Sequence, residues 1–213
     1  MPAFRLPGYT GVVATPVHIV PYDPAWPAVY AAERQRILTA LLPVPGARLA
    51  AIEHIGSTAV PGLAAKPTID IMAGLADEDA ILQCIQPLGA IGYEHSLVTA
   101  FAVAPWHYLA RSDAGASGER GQRYHLHLAV MDGRFWREHL LFRDCLRAQP
   151  GIARQYEQLK RQLACWFGSD RIGYAAAKGE FVAAVLATAG AGSADALGLS
   201  PAGLGPDQAS GTG

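Results

Sequence analysis

Charge is scarce in this chain, and neither sign dominates. Only 16% of its 213 residues are charged, and the formal net charge is −1. No global basic field is available to hold duplex nucleic acid by counterion release. The expected ligand is therefore a small molecule held in a local anion pocket, and no duplex nucleic-acid partner is expected. Cysteine is scarce as well. Cys84, Cys145 and Cys165 are widely spaced, odd in number and without a C-x-x-C pair. That argues against a disulfide framework or a cysteine-built zinc site and for reduced thiols in a cytoplasmic protein. Cys84 and Cys165 sit in apolar helical contexts and are expected in the core. No uninterrupted apolar run reaches the roughly 18 residues of a membrane span. The opening MPAFRLPGYTGVV lacks the charged and then apolar regions of a signal peptide, so none is expected. No internal repeat is visible.

What the chain does have is apolar content, 51% of its residues. That supports one sizeable domain with a real core. Residues 1–16 are expected to be loose, residues 17–189 to form the domain, and residues 190–213, rich in Gly, Ala, Ser and Pro, to be a disordered tail. Val17 to Val20 is a short strand candidate. Asp23 and Pro24 are helix-start residues, and apolar spacing predicts a helix from about Ala25 to Leu42, stopped by Pro43 and Pro45. A second helix is predicted over 77–87, with Asp77 as its cap. Tyr93 to Ser96, Ala100 to Ala104 and Trp106 to Arg111 are strand candidates. The stretch 112–121 is a polar Gly-rich loop. Arg123 to Met131 alternates: Tyr124, Leu126 and Leu128 on one face, His125, His127 and Ala129 on the other. From about residue 134 the pattern is helical, over 135–148, 152–167 and 171–189. The order predicts a mixed α/β (α+β) sheet flanked by helices, with a C-terminal helical region.

The chain is organised around Ile52 to Leu75, IEHIGSTAVPGLAAKPTIDIMAGL. It reads as strand, Gly-Ser turn, loop with a Lys, and second strand. Asp70 stands between Ile69 and Ile71, where a core strand would place an apolar residue. A bound cation is one explanation; a carboxylate capping a loop or pairing with an Arg is the other. A turn at Gly56 and Ser57 frees amides and a hydroxyl for phosphate oxygens. Asp70 could hold Mg²⁺ against them, and Lys66 could reach a phosphate. His125 and His127, two residues apart, could ligate a metal or act as base, or could be ordinary strand histidines. Arg143 and Arg147, one helical turn apart, could grip a triphosphate or form a solvated face with local ion pairs. Lys178 could reach into a cleft as a phosphate donor or lie along an Ala-rich face. Glu53 and His54 point to opposite sides of their strand, so at most one can belong to a site.

YDPAWPAVYAAE, IEHIGSTAVPGLAAKPTIDI, YHLHLAV, LLFRDCLRAQP and YAAAKGEFV, in this order, resemble the GrpB family, from about Val17 to Leu186. That family is related to DNA polymerase β-like nucleotidyltransferases and also occurs fused to dephospho-CoA kinase. The resemblance implies a nucleotidyltransferase-like fold. It also implies a nucleoside triphosphate such as ATP as co-substrate, with Mg²⁺ held by Asp70. The superfamily pattern has Gly-Ser, then two acids two residues apart on the next strand, then a third acid on a later strand. Gly56, Ser57 and Asp70 match it. Met72 stands at the second acid, and His125 and His127 at the third. The expectation is a nucleotide-dependent transferase acting on a small acceptor, Asp70 and His127 holding the metal and His125 or His127 serving as base. Phosphate would be held by Gly56, Ser57, Lys66, Arg143 and Lys178. The alternatives are a non-catalytic nucleotide-binding or regulatory module and a CoA-pathway accessory protein.

Overall fold

The computed structural model describes residues 17–45, 49–95, 106–113, 121–168 and 170–196. The expectations for residues 1–16, the strand candidate at 100–104 and most of the loop at 112–121 lie outside them. So does the tail beyond residue 196. Helix α1 (Trp26–Leu41) comes first, then strand β1 (Ala51–Ile55), a short 3-10 turn (Ser57–Ala59) and strand β2 (Thr68–Leu75). Helix α2 (Glu78–Ala90) is followed by strands β3 (Glu94–His95), β4 (Trp106–Ser112) and β5 (Arg123–Val130). Helices α3 (Arg134–Ala148), α4 (Pro150–Phe167) and α5 (Arg171–Ala196) complete the order. The sheet runs β1-β2-β5-β4-β3. Only β2 and β5 pair in parallel; their neighbours are antiparallel. The mixed sheet flanked by helices expected from the sequence is what the chain forms.

Several boundaries differ from the sequence reading. Val17 to Val20 makes one bridge, Val20 to Ala65, instead of a strand. Asp23 accepts from the Ala25 amide at 2.8 Å, but the helix starts one residue beyond Ala25, with Pro27 in its first turn. Pro150 opens α4, since its missing N–H is unneeded in a first turn. Helix α5 continues past residue 189 to Ala196, through Gly and Ser that had suggested a tail. Alanine, the best helix former, is frequent enough there to carry it. Cys165 is exposed instead of buried, because the buried stripe of α4 is Tyr156, Lys160 and Leu163. No helix among the described residues is long and apolar enough to cross a membrane.

The alternation of the strands assigns the two faces of the sheet. Ile69, Ile71, Ala73 and Leu75 of β2 and Tyr124, Leu126 and Leu128 of β5 face α1 and α2, where they form the main core. The opposite face carries Asp70, Met72 and Gly74 on β2, and His125, His127 and Ala129 on β5. Helix α3 covers the end of that face, where Trp136 packs with Met72 and Ile55. Gly74 makes this possible: a Cβ there would lie 2.9 Å from the Trp136 ring. The helices thus leave part of the Asp70 face uncovered.

The core face has one buried ion pair. Glu33 of α1 accepts from Arg111 Nε and Nη2 at 3.1 and 2.7 Å and from the Tyr93 hydroxyl at 2.9 Å. The Glu33 and Arg111 side chains are only 4% and 9% exposed. Burial and the Glu33 carboxylate push the Tyr93 phenol well above its usual range. Removing Arg111 leaves the buried Glu33 carboxylate with only the Tyr93 hydroxyl and the more distant Arg36 guanidinium, 3.8 Å away. We expect Arg111→Ala to lower unfolding free energy by about 3–5 kcal/mol in urea titrations. A loss under about 1 kcal/mol would mean that the pair behaves as a surface bridge.

Candidate active site

The site begins at the turn between β1 and β2. Gly56 has φ 70° and ψ −173°, a combination essentially confined to glycine. A Cβ there would collide with Asp70 Oδ2. The bare glycine therefore lets the turn lie directly against the carboxylate. His54 braces the turn from behind. Its ring stacks on Tyr30 with centroids 4.6 Å apart, and its Nε2 lies 3.0 Å from Thr58 Oγ1. Thr58 in turn donates to the Thr68 carbonyl at 3.1 Å, so its oxygen accepts from His54 Nε2–H. Arg147 closes the far end of the turn, donating to the Ala59 carbonyl from Nε and Nη2 at 3.0 and 2.8 Å.

Register brings the chemistry together. Asp70 pairs with His125, and Met72 with His127, across the parallel β2–β5 ladder. His125 Nδ1 lies 3.0 Å from Asp70 Oδ1. A carboxylate only accepts, so Nδ1 carries a proton, and in the neutral form of the ring Nε2 keeps its lone pair. Burial would push the Asp70 carboxyl up. The His125 hydrogen bond, with electrostatic attraction to the His125 and His127 rings and to Lys178, outweighs it and holds the carboxyl below its usual range. The Asp70 side chain is 28% exposed, so a ligand can reach it.

A cleft of about 710 Å³ opens over this pair, within the range of small-molecule sites. Ser57, Lys66, Lys160 and Lys178 line it together with Asp70 and His125. Lys178 Nζ stands 4.6 Å from the Tyr174 ring centroid. Burial pushes its ammonium down, partly opposed by Asp70. Lys160 is 2% exposed and donates to the Ala64 carbonyl. Burial, with repulsion from Lys178, pushes it down to about 7. The cleft therefore gathers ammonium groups around one carboxylate, an arrangement suited to a ligand that carries several negative charges.

The expected residues divide accordingly. Gly56, Ser57, Lys66, Asp70, His125, His127 and Lys178 all lie at the Asp70 face or its cleft. Arg143 does not line the cleft. Its Nη1 donates to Glu53 Oε2 at 2.7 Å and to the His54 carbonyl at 3.1 Å, while Nε and Nη2 hold Asp144 at 2.8 and 3.1 Å. It ties α3 to β1, and its assignment to phosphate is corrected. Glu53 serves that bridge, and His54 is the buried brace, so neither lines the cleft. Lys160 and His139 line it without having been singled out. Lys160 was legible as a lysine on the apolar stripe between Tyr156 and Leu163. His139 follows Phe135 by one turn on the same helix face.

The donor set suits at most one Mg²⁺ ion. Two ions do not fit, because Met72, fully buried, occupies the second-acid position. No group of three metal-capable side chains exists among the described residues. His127 does not suit the ion either: its Nδ1 is buried among rings, and Mg²⁺ prefers oxygen. A single ion carried in on phosphate oxygens does fit, since such ions need only one or two protein carboxylates. Asp70 Oδ2, beside the open Gly56 turn, is the oxygen that would meet it.

The GrpB protein family matches residues 16–188. The chain belongs to the GrpB family. A UPF0157 protein of Pseudomonas aeruginosa is 38% identical over 176 residues, covering 81% of this chain and 67% of that protein. The crystal structure of conserved protein GrpB from Enterococcus faecalis superposes with a TM-score of 0.65 at 31% identity, covering 81% of this chain and 96% of that one. A dephospho-CoA kinase of Mycolicibacterium paratuberculosis is 32% identical over 190 residues, 78% of this GrpB chain but only 44% of the kinase. Cid1 poly(U) polymerase, in a structure with MgGTP bound, gives a TM-score of 0.47 at 14% identity over 70% of this chain and 44% of that one.

The buried imidazoles make stability depend on pH. Burial lowers His54 from 6.5 to about 4 and His127 from 6.5 to about 3. Below about 6.5 the unfolded chain takes protons that the folded chain refuses, so stability falls as pH drops. We expect about 2 kcal/mol lost per ring between about pH 7 and about pH 5 in urea unfolding. An unfolding midpoint unchanged over that range would contradict both neutral rings.

Proposed function

We propose that this GrpB protein is a nucleotide-dependent transferase that acts on a small-molecule acceptor. The observation that carries the reading is the Asp70–His125 hydrogen bond, in register and open to a lysine-lined cleft. Lys66, Lys178 and Ser57 hold the phosphates. His125 Nε2 takes the proton from the acceptor's hydroxyl or amine. Ionised Asp70 fixes the ring's tautomer and stabilises the imidazolium that forms. The acceptor oxygen or nitrogen bonds to the α-phosphorus as the bond to pyrophosphate breaks, and the lysines neutralise the departing charge. A Mg²⁺ arriving with the nucleotide would be held by Asp70 Oδ2 and would neutralise phosphate oxygens.

Met72 favours a second reading, a nucleotide-binding module without turnover, because a buried methionine stands where a second acid belongs. A CoA-pathway accessory role draws support from the relative named dephospho-CoA kinase. The deciding experiment incubates the full chain with ATP, Mg²⁺ and panels of alcohols, amines and carboxylates, dephospho-CoA included. Release of pyrophosphate or AMP supports the transferase. Saturable ATP binding without release supports the module. Failure of ATP to bind would overturn both.

A further inference from the structure

Not all of the cleft wall is cationic. His127 of β5 and His139 of α3 also line it, with ring centroids 6.3 Å apart. The surroundings of each ring fix which nitrogen carries its proton. His139 Nδ1 lies 2.8 Å from the Phe135 carbonyl oxygen. A carbonyl only accepts, so Nδ1 carries the proton and Nε2 keeps its lone pair. His127 Nδ1 is buried and has no hydrogen-bond partner. The Trp106, Tyr108 and Phe135 rings stand 5.4, 5.4 and 5.8 Å from the His127 ring, centroid to centroid. A buried N–H facing rings with no acceptor is costly, and such orphans are rare. The proton therefore sits on the other nitrogen, and Nε2 becomes a donor.

We propose that His127 Nε2–H and His139 Nε2 form a donor–acceptor pair that reads a planar ligand edge carrying an acceptor beside a donor, as the edge of a nucleobase does. This rests on the nucleotide reading above and assigns the base-recognition part of the same cleft. It gives His127 a role other than metal ligand or base. The surroundings suit that role: Tyr108 lines the cleft beside the two imidazoles and offers a flat face. The lysines and Ser57 are left to the phosphates. The Phe135 carbonyl fixes the His139 tautomer and the acceptor-free ring surroundings fix that of His127, so both are set before anything binds. A site built this way discriminates strongly against a ligand lacking the matching groups, whose absence leaves buried polar atoms unpaired.

Two measurements test the pair. The first is long-range proton–nitrogen correlation spectroscopy of the full chain labelled with nitrogen-15 histidine, at neutral pH without ligand. His127→Gln and His139→Gln assign the signals. The expected tautomers are Nε2–H for His127 and Nδ1–H for His139; the opposite form at either ring overturns the proposal. The second is calorimetric titration of ATP and of pyrophosphate into the wild type and His139→Phe, which keeps a ring but removes the acceptor. ATP binding should weaken about tenfold, and pyrophosphate binding should change by less than about twofold. Equal weakening of both ligands, or of neither, overturns base recognition by the pair. If pyrophosphate binds the wild type no more weakly than ATP, base recognition also falls while the phosphate site stands. If neither binds, the nucleotide reading fails and takes the base-recognition role with it, while the spectra still decide the tautomers.

Discussion

Asp70→Asn will reduce nucleotide-dependent turnover by about 10²- to 10⁴-fold, the range of a lost proton-transfer group. The substitution keeps the size of the side chain and leaves an oxygen able to accept from His125 Nδ1. What it removes is the negative charge. In the proposed mechanism that charge stabilises an imidazolium on His125, and the Lys178 ammonium is drawn toward it. The carboxyl is held below its usual range in the fold, so the charge also adds stability that the variant loses. That loss is expected to be small beside the kinetic one, because the Asp70 side chain is 28% exposed. His125→Ala should cost a similar factor, and the double variant little more, since the two groups act as one unit. Turnover in Asp70→Asn within about threefold of wild type would remove Asp70 from the chemistry.

Gly56→Ala will be strongly destabilising. Two costs combine at one atom. The backbone conformation, φ 70° with ψ −173°, carries about 1–3 kcal/mol of strain for any residue with a Cβ. The added methyl also drives into Asp70, with the carboxylate oxygen, Cβ and Cγ of that residue all at or inside 3.0 Å. Overpacking of that kind costs about 1–3 kcal/mol more. We expect a loss of about 2–6 kcal/mol in urea unfolding, together with loss of ligand binding. Gly62→Ala is the matched control. It shares the positive φ but has nothing within 4 Å of the added Cβ, so it should show the strain alone. Equal stability losses at the two positions would mean that contact with Asp70 does not matter.

Much of this was legible in the chain itself. Period-2 alternation separated Tyr124, Leu126 and Leu128 from His125 and His127, and the sheet places them on opposite faces. Asp70 between two isoleucines was an acid in need of a partner, and it has one. The resemblance already pointed to His125 and His127 as its neighbours; which of the two bonds to it was not legible, because that depends on register. β2 and β5 lie 55 positions apart in the chain yet pair residue for residue, Asp70 to His125; no local pattern encodes that register. Arg143 failed for a related reason. Helical spacing shows that a side chain lies on a face but not which acid waits there, and Glu53, 90 positions earlier, was the acid. Lys160 was readable as a lysine within an apolar stripe, a position that calls for an explanation as Asp70 does. The extension of α5 to Ala196 reflects a balance between Gly and Ala that composition alone did not resolve.

The central claim is that one cleft, floored by Asp70 and His125, receives the phosphates of a nucleotide. A crystal structure of the full chain soaked with ATP and Mg²⁺ tests it most directly. The account predicts phosphate oxygens within hydrogen-bond reach of Lys66, Lys178 and Ser57, a single metal ion at Asp70 Oδ2, and the base beside His127 and His139. Nucleotide bound instead in the groove between Val60 and Pro150, or phosphates gripped by Arg143 away from the cleft, would contradict it.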